Sequence, residues 1–235
     1  MLETKNLIIR NFHEEDFFDY WEIMSDARVT LSYGIGAFKR IGDAWDSFSA
    51  RLKSPLNYAV VLKPMSKVVG KIELAKPFYY CPFDDLSTTK EVSMIINFNF
   101  KGKGIMTEAE RALLKHSFET LKLNSVFARV AAKNEASLRL AAKCGMTPLY
   151  TKEEVTSYTS SSMITTMAIT KDEYQKNPLY RGVQYTIADD GEKKDANSLT
   201  KKIIIDKIEQ KIKMEEQKEF QEVAKLFSLQ REVGG

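Results

Sequence analysis

The chain has 235 residues, 43% of them hydrophobic, with a formal net charge of +3. That length suits one sizeable domain with an appendage, and so small a charge, with no basic stripe interleaved with aromatics, excludes a nucleic-acid reading. No apolar run approaches the roughly 18 residues of a membrane span, and Met-Leu-Glu-Thr-Lys at the start has no hydrophobic signal core, so the expectation is no membrane and a cytoplasmic location.

Leu7-Ile8-Ile9-Arg10 reads as an opening strand, and His13-Glu14-Glu15-Asp16 as a helix entry whose acids suit the positive end of the dipole. Phe17, Phe18, Tyr20, Trp21 and Met24 make that helix apolar, and it is predicted to end near Ser25-Asp26. Val29 to Lys39, with Tyr33-Gly34-Ile35-Gly36, reads as loop. A second helix is predicted from Ile41 to Leu52, with Trp45, Phe48 and Leu52 on one face. Tyr58 to Leu62 and Val68 to Leu74 form a hairpin around Lys63-Pro64-Met65-Ser66-Lys67. Pro77 to Lys90 is a long aromatic insertion, a lid over a pocket, a surface patch or an oligomer contact.

Glu91 to Asn97 is the next strand, and Lys101-Gly102-Lys103-Gly104-Ile105-Met106-Thr107 follows it. A helix begins there, with Glu108, Arg111, Lys115, Glu119 and Lys122 as its polar stripe. The first-turn N–H groups of a helix lack intrahelical partners and sit at the positive end of its dipole. Glycines without Cβ let a ligand approach them, so the loop reads as a pocket for phosphate or pyrophosphate, or else as turn punctuation alone. A Walker A loop needs Lys-Ser or Lys-Thr after its last glycine, where Ile105 and Met106 stand. A dinucleotide fingerprint needs a third glycine, where Thr107 stands.

Ser125 to Ala131 reads as a strand, and Asn134 to Lys143 as a helix stopped by Gly145. Pro148-Leu149-Tyr150 and Ser162 to Ile169 read as two further antiparallel strands, and Lys171 to Tyr174 as the close of the fold. Residues 1–176 are thus expected to form the domain, 177–198 a linker and 199–235 an amphipathic helical tail. Ile205, Ile208 and Ile212 keep heptad-like spacing in that tail. Its narrow apolar stripe needs a partner surface: its own domain, a second copy in a homodimer, or another protein. Two cysteines, Cys81 and Cys144, give no disulfide framework. Two histidines, with no Cys-x-x-Cys or His-Glu-x-x-His, predict no metal.

Lys101 to Met106 resembles the coenzyme-A loop of the GNAT superfamily of N-acetyltransferases, Arg/Gln-x-x-Gly-x-Gly/Ala, with Lys101 and Met106 departing from the strict pattern. Thr107-Glu108-Ala109, Asn134-Glu135-Ala136-Ser137 and Lys143-Cys144-Gly145-Met146 are similar to its RimJ/RimL branch, the ribosomal-protein N-terminal acetyltransferase type. The likeness runs from about Leu2 to about Tyr174, two motifs at the right separation, and leaves out the tail. It implies an α/β (α+β) GNAT acyl-CoA N-acyltransferase fold with a central mixed, mostly antiparallel sheet flanked by helices. It also implies acetyl-CoA as cosubstrate and a primary amine, a protein N-terminus or a small amine, as acceptor.

By the same resemblance the strand before the loop splays from the strand after the helix, and pantetheine pairs with its free backbone near Ile95 and Ile96. Lys101, Gly102, Lys103, Gly104, Ile105 and Met106 hold the pyrophosphate. Asn134 and Ser137 contact the coenzyme, and Asp26 and Tyr33 are candidates to meet the acceptor. Many relatives place a tyrosine proton donor seven residues after the asparagine; Ala141 stands there, and Ser137 is the candidate acid instead. Glu91 is the first candidate general base, with Glu73 and Glu153 as rivals. Each of these carboxylates also has an ordinary structural reading, as do Ser137 (local backbone bonds) and Asn134 (a helix cap). A covalent route through Cys144 lacks a neighbouring base, so that residue reads as core, and attack is expected to be direct in a ternary complex. A reading of another class stays open, in which the domain binds acyl-CoA without turnover and its tail holds a partner.

Overall fold

The protein is represented by a computed structural model that describes residues 1–77, 81–155, 161–188 and seven helical, exposed positions between Asp206 and Gln221. The expected tail helix otherwise lies outside the described residues, as do Phe78 to Tyr80 of the insertion.

The strands are β1 (Leu2–Glu3), β2 (Leu7–Asn11), β3 (Asn57–Leu62), β4 (Lys67–Ala75), β5 (Thr89–Ile96), β6 (Ser125–Ala131), β7 (Thr147–Glu154), β8 (Ser162–Thr170) and β9 (Thr186–Ile187). The helices are α1 (Phe17–Met24), α2 (Ala27–Thr30), α3 (Ile41–Leu52), α4 (Ile105–Glu119), α5 (Glu135–Lys143) and α6 (Lys171–Lys176). One sheet runs β7-β8-β6-β5-β4-β3-β2-β1-β9. Its neighbours are antiparallel but for β5 and β6, which are parallel and joined through α4. The expected α/β architecture with a mixed, mostly antiparallel sheet is therefore the observed one.

Both faces of the sheet are covered, which explains why β2 reads as a continuous apolar run rather than an alternation. Leu7 and Ile9 enter the core under α4 and α5, whereas Ile8 packs toward α1 and α3. The second core is largely aromatic. Phe12, Phe17, Tyr20 and Phe48 are nearly solvent-free, and Phe17 meets Trp45 edge-on at 5.0 Å.

A register shift at Val60/Val61 decides which face the middle of β4 presents. Beyond it Ile72 and Leu74 join the α4 core, so Lys71 and Glu73 face α1 and α3. Gly70 stands where β4 and β5 approach closely: a Cβ there would lie 2.6 Å from the Ile95 carbonyl oxygen and 3.3 Å from Met106 Sδ. On the outer side of β5, pairing with β6 covers Thr89↔Ser125, Lys90↔Val126 and Glu91↔Phe127. No β6 partner is paired with Val92 to Ile96, so the two strands diverge from there.

Three expectations need correction. Val29 to Tyr33 is helical rather than loop, because Asp26 accepts the Arg28 N–H and caps a short α2 that runs into a 3-10 turn. The strand before the coenzyme loop starts at Thr89, two residues early, where Thr89 Oγ1 bonds Ser125 Oγ across the parallel pair. Tyr174 does not close the fold. The described part of the expected linker continues on the domain, with Tyr180 buried and donating to the Cys144 carbonyl, and β9 paired to β1.

Candidate active site

The loop after β5 turns at Gly102 and Gly104, whose φ angles of 76° and 78° fall in the left-handed region that glycine adopts without strain. Gly104 is the N-cap of α4, and its carbonyl accepts the Glu108 N–H. The N–H groups of Ile105, Met106 and Thr107 therefore lie in the unpaired first turn, at the positive end of a 15-residue helix. A Cβ at either glycine would meet open space, so the cradle is free of side chains where an anion would approach. Lys101 and Lys103 flank it, their ammonium groups 5.2 and 5.1 Å from the Phe98 and Phe100 ring centres.

Ile105 and Met106, read as coenzyme contacts, bury their side chains, so only their backbone faces the loop. Met106 departs from the small residue of the family pattern without obstructing anything, because its thioether points under Gly70. Glu108 anchors the helix start. Its carboxylate accepts from Asn6 N–H, Asn6 Nδ2 and Thr4 Oγ1 at 3.0, 2.9 and 2.6 Å.

Asn134 caps α5, its Oδ1 accepting the Ser137 N–H at 3.2 Å. Its Nδ2 reaches the Ser32 carbonyl at 3.4 Å, and Lys101 Nζ reaches the Arg28 carbonyl at 3.3 Å. The Asp26–Gly36 segment is thus tied to both elements read as coenzyme contacts.

The α1–α3 face of the diverging strands carries a polar floor. Tyr33 Oη lies 2.8 Å from Ser93 Oγ and donates to Glu73 Oε1 at 3.2 Å. Ser93 Oγ also donates to Glu73 Oε1, Asn57 Nδ2 donates to Oε2 at 2.6 Å, and Lys71 Nζ lies 3.3 Å from Oε2. Lys71 is 2% exposed, and burial pulls its pKa down to about 8. Burial alone would raise Glu73, but Lys71, Ser93 and Arg51 together hold it below the usual carboxylate range. Tyr33 is pushed up by burial and then by Glu73, so it stays a neutral hydroxyl.

Nearer the point of divergence, Arg129 donates from Nε to Glu91 Oε1 at 3.0 Å and from Nη1 to Glu154 Oε2 at 2.8 Å. Glu153, the third carboxylate read as a base, accepts from Ser161 Oγ at the β7–β8 end. Cys144 is fully buried and burial raises its thiol, in keeping with a packing residue.

Lys71, Ser93 and Arg129 were not singled out from sequence. The signal available was polar alternation within β4, β5 and β6, which on its own reads as a solvated face. Among the described residues no group of three His, Cys, Asp or Glu side chains is placed to hold a metal ion, and no helix is long and apolar enough to cross a membrane.

A family model described as Acetyltransferase (GNAT) domain matches residues 6–147. The uncharacterized N-acetyltransferase YnaD of Bacillus subtilis is 29% identical over 147 residues, 62% of this chain and 81% of that protein. Among solved structures, an acetyltransferase (GNAT family) from Bacillus anthracis superposes with a TM-score of 0.64 at 24% identity, covering 73% of this chain and 99% of that one. Spermidine N-acetyltransferase from Vibrio cholerae, in complex with CoA and spermine, superposes with a TM-score of 0.61 at 16% identity, covering 73% and 99%.

Proposed function

The chain belongs to the GNAT acetyltransferase family, and we propose that it carries the acetyl group of acetyl-CoA directly to a primary amine in a ternary complex. The observation that carries this is the divergence of β5 from β6 after Glu91, directly upstream of a glycine-led helix start. An amide chain such as pantetheine can add itself to the freed backbone of Val92 to Ile96, Ile95 and Ile96 included, as a further strand would. The pyrophosphate then meets Lys101 to Met106, with the lysines as counter-charges and the first-turn N–H groups as donors. Coenzyme A in the Vibrio cholerae relative supports the same cosubstrate here.

Acetyl transfer needs a held oxyanion, a neutral amine and a proton for the leaving thiolate. Backbone N–H groups on the open edge of β5 serve the first. Ser137, in the first turn of α5 beside the Asn134 cap, serves the third, since Ala141 has no proton to give. Glu91 takes the proton of the amine, directly or through water. Glu73 is the poorer acceptor, because Tyr33, Ser93, Asn57 and Lys71 engage both of its oxygens, whereas the Arg129 bond to Glu91 engages one. The Asn134–Ser137 pairing without the tyrosine also supports the RimJ/RimL-like branch, with a protein α-amine as the leading acceptor.

Calorimetric titration of the full chain with acetyl-CoA tests this. The parent should bind, and a Gly104→Asn variant, whose side chain tolerates the left-handed conformation but enters the cradle, should remain folded and bind more weakly. Gly104→Glu, which places a negative charge at the pyrophosphate, should lose binding while remaining folded. Absence of binding by the parent, or equal binding by the Glu variant, sinks the assignment.

A further inference from the structure

We propose that Arg129 sets acceptor selectivity, restricting the site to amines with no second positive charge close by. This presupposes the acetyl transfer proposed above. The acceptor must approach the open strands from the α1–α3 face, because on the other face Val92, Met94, Ala128 and Val130 are packed into the α4 core. Arg129 stands two residues beyond the last β5–β6 pair, and its guanidinium crosses from β6 to Glu91 on β5 and to Glu154 at the end of β7. It therefore lies on the approach, and together with Lys152 it balances two carboxylates that would otherwise attract cations.

Further carboxylates are matched as well. Asp26 is paired with Arg28 at 2.6 Å, Glu73 with Lys71 at 3.3 Å, and Glu154 a second time with Lys152 at 3.6 Å. A linear polyamine would bring a second ammonium to this charge-balanced cluster of Arg129, Lys152, Glu91 and Glu154, which has no net negative charge to receive it. The α-amine of a peptide brings one charge, which the reaction itself removes. Selectivity of this kind comes from repelling the wrong ligand as much as from attracting the right one.

The test compares kcat/KM for an amidated peptide with a free N-terminus against that for spermidine, using acetyl-CoA and the full chain. The parent should favour the peptide by about tenfold or more. Arg129→Gln should shift the ratio toward spermidine by about tenfold at low salt, and the shift should shrink at high salt. Arg129→Lys should stay near the parent ratio. Arg129→Gln leaves the buried Glu154 without its guanidinium, so Arg129→Gln with Glu154→Gln, which leaves Glu91 alone uncompensated, provides a second variant if the first does not fold. A parent that prefers spermidine, or a folded variant with an unchanged ratio, overturns the role of Arg129. If the parent turns over no amine, the acetyl-transfer assignment fails instead. Calorimetric binding of spermidine then decides about Arg129: binding gained by the variant upholds the role, and none gained overturns it.

Discussion

Asn134 donates from Nδ2 to the Ser32 carbonyl at 3.4 Å, although 102 residues separate them. The same side chain uses Oδ1 to cap α5 through the Ser137 N–H. One residue thus holds the start of the helix carrying the candidate acid and tethers the segment carrying Tyr33.

The two jobs separate by substitution. Asn134→Ala removes both and should cost about 1 kcal/mol of stability, the usual value of a lost N-cap. Asn134→Asp keeps a capping oxygen but has no donor for Ser32, so its thermal unfolding should stay close to the parent's. Trypsin cleavage at Lys39 should nevertheless quicken in both variants. If the Asp variant is cut as slowly as the parent, the tether contributes nothing.

Gly70 offers a second point of control. A methyl group there meets the Ile95 carbonyl oxygen at 2.6 Å, and a backbone atom cannot swing aside as a side chain would. Gly70→Ala should lower stability by about 2 kcal/mol, as overpacking does. It should also weaken acetyl-CoA binding, because the strand it displaces is the one that diverges. Urea unfolding and calorimetry read the two effects independently. Lost stability with unchanged coenzyme affinity would show that a shift of β5 at Ile95 does not reach the open edge proposed to hold pantetheine.

The framework of the domain was legible where periodicity was strong. The Ile41–Leu52 helix and the Ser125–Ala131 strand run over the residues predicted for them. The two-glycine turn before α4 was legible because positive φ demands glycine, and the Asn134 cap because caps have a local signature. The polar floor was not. Lys71 and Glu73 alternate with Gly70, Ile72 and Leu74 as a solvent-facing strand would, and nothing local says that Tyr33, forty residues earlier than Glu73, folds over them. Arg129 and Glu154 were illegible for the same reason, since their meeting depends on β8 lying between β6 and β7. Tyr180 was lost because the segment after Lys176 has a linker's composition yet packs on the core through buried Tyr180 with partly buried Leu179, Val183 and Tyr185.

The Lys71–Glu73 pair yields a stability prediction. Lys71→Met leaves Glu73 with its hydroxyl and amide donors but without the adjacent cation. Removing one partner of a largely buried ion pair usually costs 3–5 kcal/mol. Glu73 keeps some solvent contact and three other partners, so about 2 kcal/mol is expected here. Adding Glu73→Gln should recover part of that loss, since no charge then remains to be compensated. A double variant no more stable than Lys71→Met would mean that the pair is uncoupled.

Glu110 supplies the pH dependence. It sits in α4 with 0% exposure, and among the described residues neither carboxylate oxygen has a hydrogen-bond partner. The groups that act on it are the Cys144 thiol, the Arg111 guanidinium and, through its own titration, the Tyr180 hydroxyl. Burial raises its pKa from 4.5 to about 7. Below pH 4.5 it is protonated in both folded and unfolded chains. Between 4.5 and 7 the unfolded chain has released the proton and the folded chain still holds it, so rising pH draws the equilibrium toward unfolding. Above 7 the loss is complete, on the order of 3 kcal/mol at about 1.4 kcal/mol per pH unit. Glu110→Gln cannot titrate and should lack this component. The difference in urea-unfolding free energy between variant and parent should therefore move in the variant's favour by about that amount from pH 5 to pH 8. A difference that is the same at both pH values would mean that Glu110 is charged in the folded protein throughout, with a counter-charge or water reaching it inside α4.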